Sequence, residues 1–201
     1  MDIAQPAGET IVQSKLSRAE ADAVLPSVLV VMGVSGSGKS TIGTQLALQL
    51  RWDFEDGDWF HPTRNIDKMH AGMPLTDEDR APWLIAIADY IDRTRCAGSR
   101  AVVACSALRR RYRGVIIGKR PDVQLIYLKG TMDLIARRIA VRHEHFMPPR
   151  LLESQFEALE EPGPDEQPIV VSIEPPPREI VARIIETLKA QSRQPGTGSS
   201  R

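Results

Sequence analysis

Eight consecutive residues, Gly33-Val-Ser-Gly-Ser-Gly-Lys-Ser40, have the types and spacing of a phosphate-binding loop. Glycines allow such a loop to fold back until successive backbone N–H groups point inward at phosphate oxygens. Here Gly33, Ser35, Gly36, Ser37 and Gly38 supply the turn, and the helix opening at Thr41 adds its positive end. Lys39 is placed to reach β/γ-phosphates, and the Ser40 hydroxyl to bind Mg²⁺. The motif therefore points to nucleoside triphosphate binding and leaves the fate of the γ-phosphate open. A second chemical pair follows at Asp56-Gly-Asp58. A phosphotransferase needs one acid for the magnesium water shell and one to orient or deprotonate the attacking hydroxyl, which suits Asp56 and Asp58 respectively. In an extended segment residues two apart face the same side, so both could converge on the loop. A solvated Asx turn is the alternative for an Asp-Gly-Asp triplet. Its place after the loop favours chemistry.

The elements that must position these groups are legible as alternating patterns. Apolar runs at Val28–Met32, Ala101–Cys105, Val123–Leu128 and Ile169–Ile173, with a shorter one near Trp52–Glu55, predict five strands. Between 77 and 96, Trp83, Leu84, Ile87, Tyr90 and Ile91 recur with the spacing of one helical face. A helix over 152–159 buries Leu152, Phe156 and Leu159, and another from Pro177 to Ala190 buries Ile180, Ile184 and Leu188. This alternation predicts a three-layer α/β/α fold with a five-stranded parallel sheet. Ligands then bind beyond the carboxyl ends of the strands. The strand AVVAC ends at Ser106 without the acid that many phosphate-loop proteins carry there.

Composition narrows the classes. The chain has 201 residues, and 26 Lys+Arg balance 26 Asp+Glu, which argues against a bulk nucleic-acid or polybasic membrane partner. Aromatics at 5% make a base-stacking platform a poor fit. No apolar run reaches the length of a membrane span, and residues 1–15 lack a secretory pattern. Cys96 and Cys105 form no metal or redox motif, so reduced thiols in the cytoplasm are expected. Residues 1–26 read as a flexible tail, 27–190 as one kinase-sized domain and 191–201 as a disordered end.

Beyond the loop, DGDWFHPTRNIDKMHAGMPLTDEDRAPWL, CSALRRRYR, IYLKG and HFMPPRLLESQFEALEEP stand in the order and spacing of the gluconokinase family, which residues 28–188 resemble. The resemblance implies a fold similar to shikimate and nucleoside monophosphate kinases, with a mobile lid at about 138–152. It implies ATP-dependent phosphorylation of D-gluconate to 6-phosphogluconate with Mg²⁺, by a cytoplasmic homodimer. Gluconate carries one carboxylate and five hydroxyls, and His61, Arg64, Lys68 and Arg80 offer the matching cations and hydrogen bonds. Asp58 would contact the 6-hydroxyl. Ser106 and Arg113 carry over by direct match, as substrate contacts. Arg138 and Arg142 lie four apart on the helix after IYLKG. The resemblance puts Arg138 against adenine and swings Arg142 toward the transferring phosphate, although a solvated basic face would show the same spacing. His145 and Gln155 would lie near substrate, and Pro175 beside adenine.

Two positions depart from the usual pattern. Arg109 replaces a lysine, and Glu144 a common glycine. The His143-Glu-His145 spacing has no third metal ligand nearby, and the RRRYR patch is too short to argue for nucleic acid in a neutral chain. Another small-molecule kinase of this fold, acting on shikimate or a related polyhydroxy acid, is the nearest alternative. A guanine nucleotide switch should carry an N/T-K-x-D base-reading motif, which the sequence lacks, and a non-catalytic binder would not need the acids, cations and lid arginines together.

Overall fold

A computed structural model of the chain describes residues 25–141 and 149–193. Two compact units make up the chain, Pro26–Ile185 and a second formed by the chain ends, of which Leu25 and residues 186–193 are described. The expected tails lie almost wholly outside the described residues, as do Arg142, His143, Glu144 and His145.

The first unit is built on five strands, β1 (Val28–Met32), β2 (Asp53–Asp56), β3 (Ala101–Ala104), β4 (Val123–Lys129) and β5 (Ile169–Ser172). All pair in parallel, in the order β2-β3-β1-β4-β5. Parallel neighbours cannot be joined by hairpins, so helices cross between them and cover both faces. These helices are α1 (Lys39–Leu50), α2 (Thr63–His70), α3 (Asp77–Cys96), α4 (Arg110–Ile116), α5 (Met132–Val141), α6 (Pro149–Ala158) and α7 (Pro177–Arg193). Short 3₁₀ turns occupy Gly57–Phe60 and Pro164–Glu166.

Burial explains the continuous apolar reading of the strands. Every residue of β1 is fully buried. Val28, Val30 and Met32 join Val103, Trp83, Ile87 and Ile91 in one core. Leu29 and Val31 alternate to the opposite face, where α1 contributes Ile42 and Leu46. Each such side chain stabilises the fold by about 1.5–3 kcal/mol. Helix α3 begins where its sequence says it should: Thr76 and Asp79 form a capping box, each side chain satisfying the other's backbone N–H. Helix α6 is shorter than its apolar stripe predicts. It ends at Ala158, and Leu159 packs on the core from the loop beyond.

Strand order places the functional segments. β1 lies between β3 and β4, and the chain goes to β2 on one side and to β4 and β5 on the other. The crevice above the carboxyl end of β1 is the switch point where this sheet type binds ligands.

Candidate active site

The loop after β1 is shaped by its glycines. Gly36 has φ 79° and Gly38 φ 96°, the left-handed region that favours glycine. A Cβ on Gly36 would also stand 2.8 Å from the Ile139 side chain, because α5 packs directly on the loop. Helix α1 then starts at Lys39 with Gly38 as a cap that offers no side-chain hydrogen bond. Its first turn contains no acid and begins with a lysine, the reverse of what stabilises a helix N-terminus. That arrangement suits an anion arriving from outside. The Ser37 hydroxyl is buried and has no hydrogen-bond partner, a further polar group awaiting one. Lys39 Nζ meanwhile donates to the Val34 carbonyl at 3.2 Å. Burial pushes its pKa down, opposed chiefly by the charge of Asp58.

The acids come from the end of β2. Asp56 accepts the Ser40 hydroxyl at 2.7 Å through one oxygen and the Asp58 N–H at 3.1 Å through the other. The intervening glycine has a steric reason. A Cβ on Gly57 would lie 2.6 Å from the Ala104 carbonyl, because the turn is pressed against the end of β3. Trp83 secures the same turn by donating its indole N–H to the Gly57 carbonyl at 2.7 Å. Asp58 stands at the open mouth of the site. Partial desolvation, then the neighbouring Asp56, raise its pKa, with Lys39 opposing.

On the far side of the acids, His61 stacks on Trp83 with ring centroids 4.4 Å apart and planes 9° from parallel. Desolvation and the Arg80 charge lower its pKa to about 4, so it is neutral near pH 7. The Asn65 amide also donates to the Asp79 carbonyl at 2.7 Å, which fixes its orientation and turns its N–H₂ toward His61 Nδ1 at 3.4 Å. Nδ1 is then the acceptor, and Nε2–H is the donor left for a ligand. Lys68 is engaged with both Asp79 oxygens at 2.7 and 2.8 Å. Arg80 donates to the Leu75 carbonyl and lies 5.8 Å from the Tyr112 ring centroid. Arg64 is exposed on α2. Arg80 is thus near enough to His61 to lower its pKa, and both Lys68 and Arg80 are partly committed to contacts within the protein.

Away from the acids, a cleft of about 560 Å³ opens beside the loop, lined by Gly36, Ser37, Gly38 and Thr41 on one side. Leu134, Arg137 and Arg138 of α5 and Pro177 and Ile180 of α7 line the other. Its size and mixed lining suit a nucleoside.

The shikimate kinase family profile matches residues 35–189. The thermoresistant gluconokinase of Escherichia coli K12 is 44% identical over 163 residues, spanning 81% of this chain and 93% of that one. A probable gluconokinase of Mus musculus is 44% identical over 181 residues, covering 82% and 98%. Among solved structures, a gluconokinase from Sinorhizobium meliloti 1021 superposes with a TM-score of 0.73 at 41% identity, covering 84% of this chain and 99% of its own. The chain belongs to the gluconokinase family. Shikimate kinase from Aquifex aeolicus, at 16% identity and a TM-score of 0.54, shares the fold.

Within this gluconokinase-family chain, the protein itself supplies close neighbours for two of the residues carried over by resemblance, Arg113 and Gln155. Arg113 is 2% exposed and lies within a cage of acceptors. Its Nε and Nη2 hold Glu166 at 2.6 and 2.9 Å, while Nη1 donates to the carbonyls of Ala107, Leu108 and Glu160 at 2.9–3.2 Å. Four of its five N–H donors are thus met by the protein's own oxygens, and this buried guanidinium ties the loop after β3 to Glu160 and Glu166. That loop needs holding: Ala107 has φ 42°, uncommon for a residue with a Cβ, and follows the half-buried Ser106. Gln155 reaches the phosphate loop, where its Oε1 accepts the Ser35 N–H at 2.6 Å. Pro177 lines the cleft beside the loop, and Pro175 is not among the residues that line it. Arg138 does line the cleft, with its guanidinium on the Ile173 carbonyl.

Sequence reasoning passed over Trp83 and Asn65. Trp83 reads as core because of its helical spacing. A buried indole N–H nonetheless requires an acceptor, and that requirement was the available signal. Asn65 is fully buried in a polar helix, with no sequence signal to mark it.

Proposed function

We propose that this protein transfers the γ-phosphoryl group of ATP to the 6-hydroxyl of D-gluconate, giving 6-phospho-D-gluconate and ADP. The observation that carries the reading is the convergence of Ser40, Asp56, Asp58 and Lys39 at the loop, with Ser40 Oγ 2.7 Å from Asp56. Family membership supports the choice of acceptor.

Roles follow from the chemistry of each group. Lys39 and the loop N–H groups hold the β- and γ-phosphates. Ser40 and Asp56 would supply oxygen donors of the kind Mg²⁺ takes. The ion, when bound, offsets charge on the phosphoryl oxygens. Asp58, with its raised pKa, accepts the 6-hydroxyl proton as the oxygen–phosphorus bond forms and the bond to the leaving ADP oxygen breaks. Neutral His61 donates through Nε2 to the polyol, while Arg64, Arg80 and Lys68 bias the wall toward the carboxylate. Ser106 adds a hydroxyl at the end of β3. Arg142 and His145 keep their roles near the phosphoryl group and substrate as inferences from the family. Arg138 faces the adenine side. Family membership also motivates a homodimer in the cytoplasm.

ADP release from MgATP, with D-gluconate, shikimate, glycerate and nucleoside monophosphates offered separately, tests the reading. Turnover with gluconate is expected. Turnover of only another acceptor would overturn the substrate, and no nucleotide turnover with any acceptor would overturn the kinase.

A further inference from the structure

Two contacts on the phosphate loop share one peptide unit. The carbonyl of the Val34–Ser35 peptide accepts from Lys39 Nζ at 3.2 Å, and the N–H of the same peptide donates to Gln155 Oε1 at 2.6 Å. The ammonium that reaches β/γ-phosphates and a loop N–H beside it are thus both engaged by the protein's own oxygens. Lys39 is held on a weak neutral acceptor while burial disfavours its charge. A loop N–H turned inward needs an acceptor in every state. The amide oxygen of Gln155 is the acceptor here, and it comes from a helix 120 residues away in the chain.

We propose that Gln155 is a stand-in for a phosphoryl oxygen: it accepts the Ser35 N–H of the loop and is displaced when a nucleoside triphosphate is seated. The proposal rests on reading the loop as a triphosphate site and goes beyond it. It makes Gln155 a competitor of the nucleotide rather than a substrate contact. Lys39 leaves the Val34 carbonyl for phosphate as Gln155 leaves the Ser35 N–H. Both sides of one peptide are thereby exchanged in the same event, and α6 is released from the loop. A hydrogen bond of this kind is worth a factor of about 2–10 in an equilibrium. Removing the acceptor should therefore tighten nucleotide binding by that factor, because a water in its place is cheaper to displace.

The test compares binding of the Mg²⁺ complex of the β,γ-imido analogue of ATP to wild type, Gln155→Leu and Gln155→Ala by calorimetry. Leu retains most of the side-chain volume and Ala does not, so agreement between them separates the lost acceptor from lost packing. Tightening by about 2–10-fold in both is expected. In the ¹⁵N spectrum the Ser35 amide should differ between wild type and Gln155→Leu without nucleotide, and the difference should shrink with the analogue bound. Unchanged or weaker binding in both variants overturns the proposal, as does a Ser35 difference that persists with nucleotide. Wild type that fails to bind the analogue overturns the triphosphate reading and this proposal together. Wild type that binds the analogue but does not phosphorylate gluconate when given MgATP overturns only the substrate, leaving the stand-in to be judged by the variants.

Discussion

Two side chains show how local electrostatics fix what the site can do at a given pH. For Asp58, desolvation and Asp56 lift the carboxyl above its ordinary 3.8. The acid limb of kcat/KM should consequently sit above that value, activity falling as pH drops through the raised pKa. Asp58→Asn should lower kcat by about 10²-fold or more and remove the limb. Near-normal turnover in that variant would take the base role from Asp58. His61 makes a separate, structural prediction. Its pKa is about 4 when folded and about 6.5 when unfolded, so the unfolded chain binds more protons between those values. The favourable contribution of neutral His61 is complete above pH 6.5 and is lost as pH falls toward 4. His61→Phe preserves the stack on Trp83 and cannot titrate. Thermal melts at pH 7 and pH 4.5 should therefore show wild type losing more stability than the variant, and parallel losses would refute the assignment.

Among the elements, the turn between β2 and α2 and the loop between β3 and α4 carry the most consequence per residue. Gly57 is enforced by the Ala104 carbonyl rather than by its backbone angles. Gly57→Ala must push the turn outward and draw Asp56 from Ser40. A displacement of about 1 Å at such a site costs about 10²-fold in rate, so turnover should fall by that order while the melting temperature changes little. Arg113 predicts the opposite. Its removal leaves Glu166 and three carbonyls in a buried cage, and breaking a buried pair costs about 3–5 kcal/mol. Urea unfolding of Arg113→Ala should show that loss. A variant with wild-type stability and weakened gluconate binding would restore Arg113 to the substrate. The contrast between the two residues also shows what the sequence made legible. The phosphate loop and Asp56-Gly-Asp58 are local, so spacing alone conveys their geometry. Arg113 meets Glu166 across 53 residues and Gln155 meets Ser35 across 120, and no periodicity encodes such pairings. Motif resemblance flagged both residues without saying which neighbour each would meet.

For the molecule as a whole, zero net charge conceals two opposed runs that meet in part. Arg109–Arg120 carries six basic residues, and Glu153–Glu166 six acids. Arg110 pairs with Asp165 and Arg113 with Glu166, while Glu160 accepts the Arg110 backbone N–H at 2.7 Å. The basic run thus clamps the segment after α6 through Arg110 and Arg113, while Arg111 pairs with Asp77 and Arg120 with Asp92 on α3, a division that composition could not show. Strand order was readable only as far as a parallel sheet. The sequence β2-β3-β1-β4-β5 emerges from pairings between residues tens of positions apart.

That order has a consequence for partial failure. The cradle belongs to β1, the middle strand, whereas Asp56 belongs to β2, which pairs only with β3 at the sheet's margin. Marginal strands open at lower free energy than central ones. The expected outcome is a rung below the native state in which the acids have swung away but the central strand still presents its loop. At moderate urea the chain should continue to hold a fluorescent ADP analogue after phosphotransfer has ceased, and amide exchange should be faster in 53–56 than in 28–32. Coincident loss of binding and turnover, with uniform exchange, would show that the sheet opens all at once. If the rung exists, the protein fails safe, becoming an idle nucleotide holder before it becomes an unfolded chain.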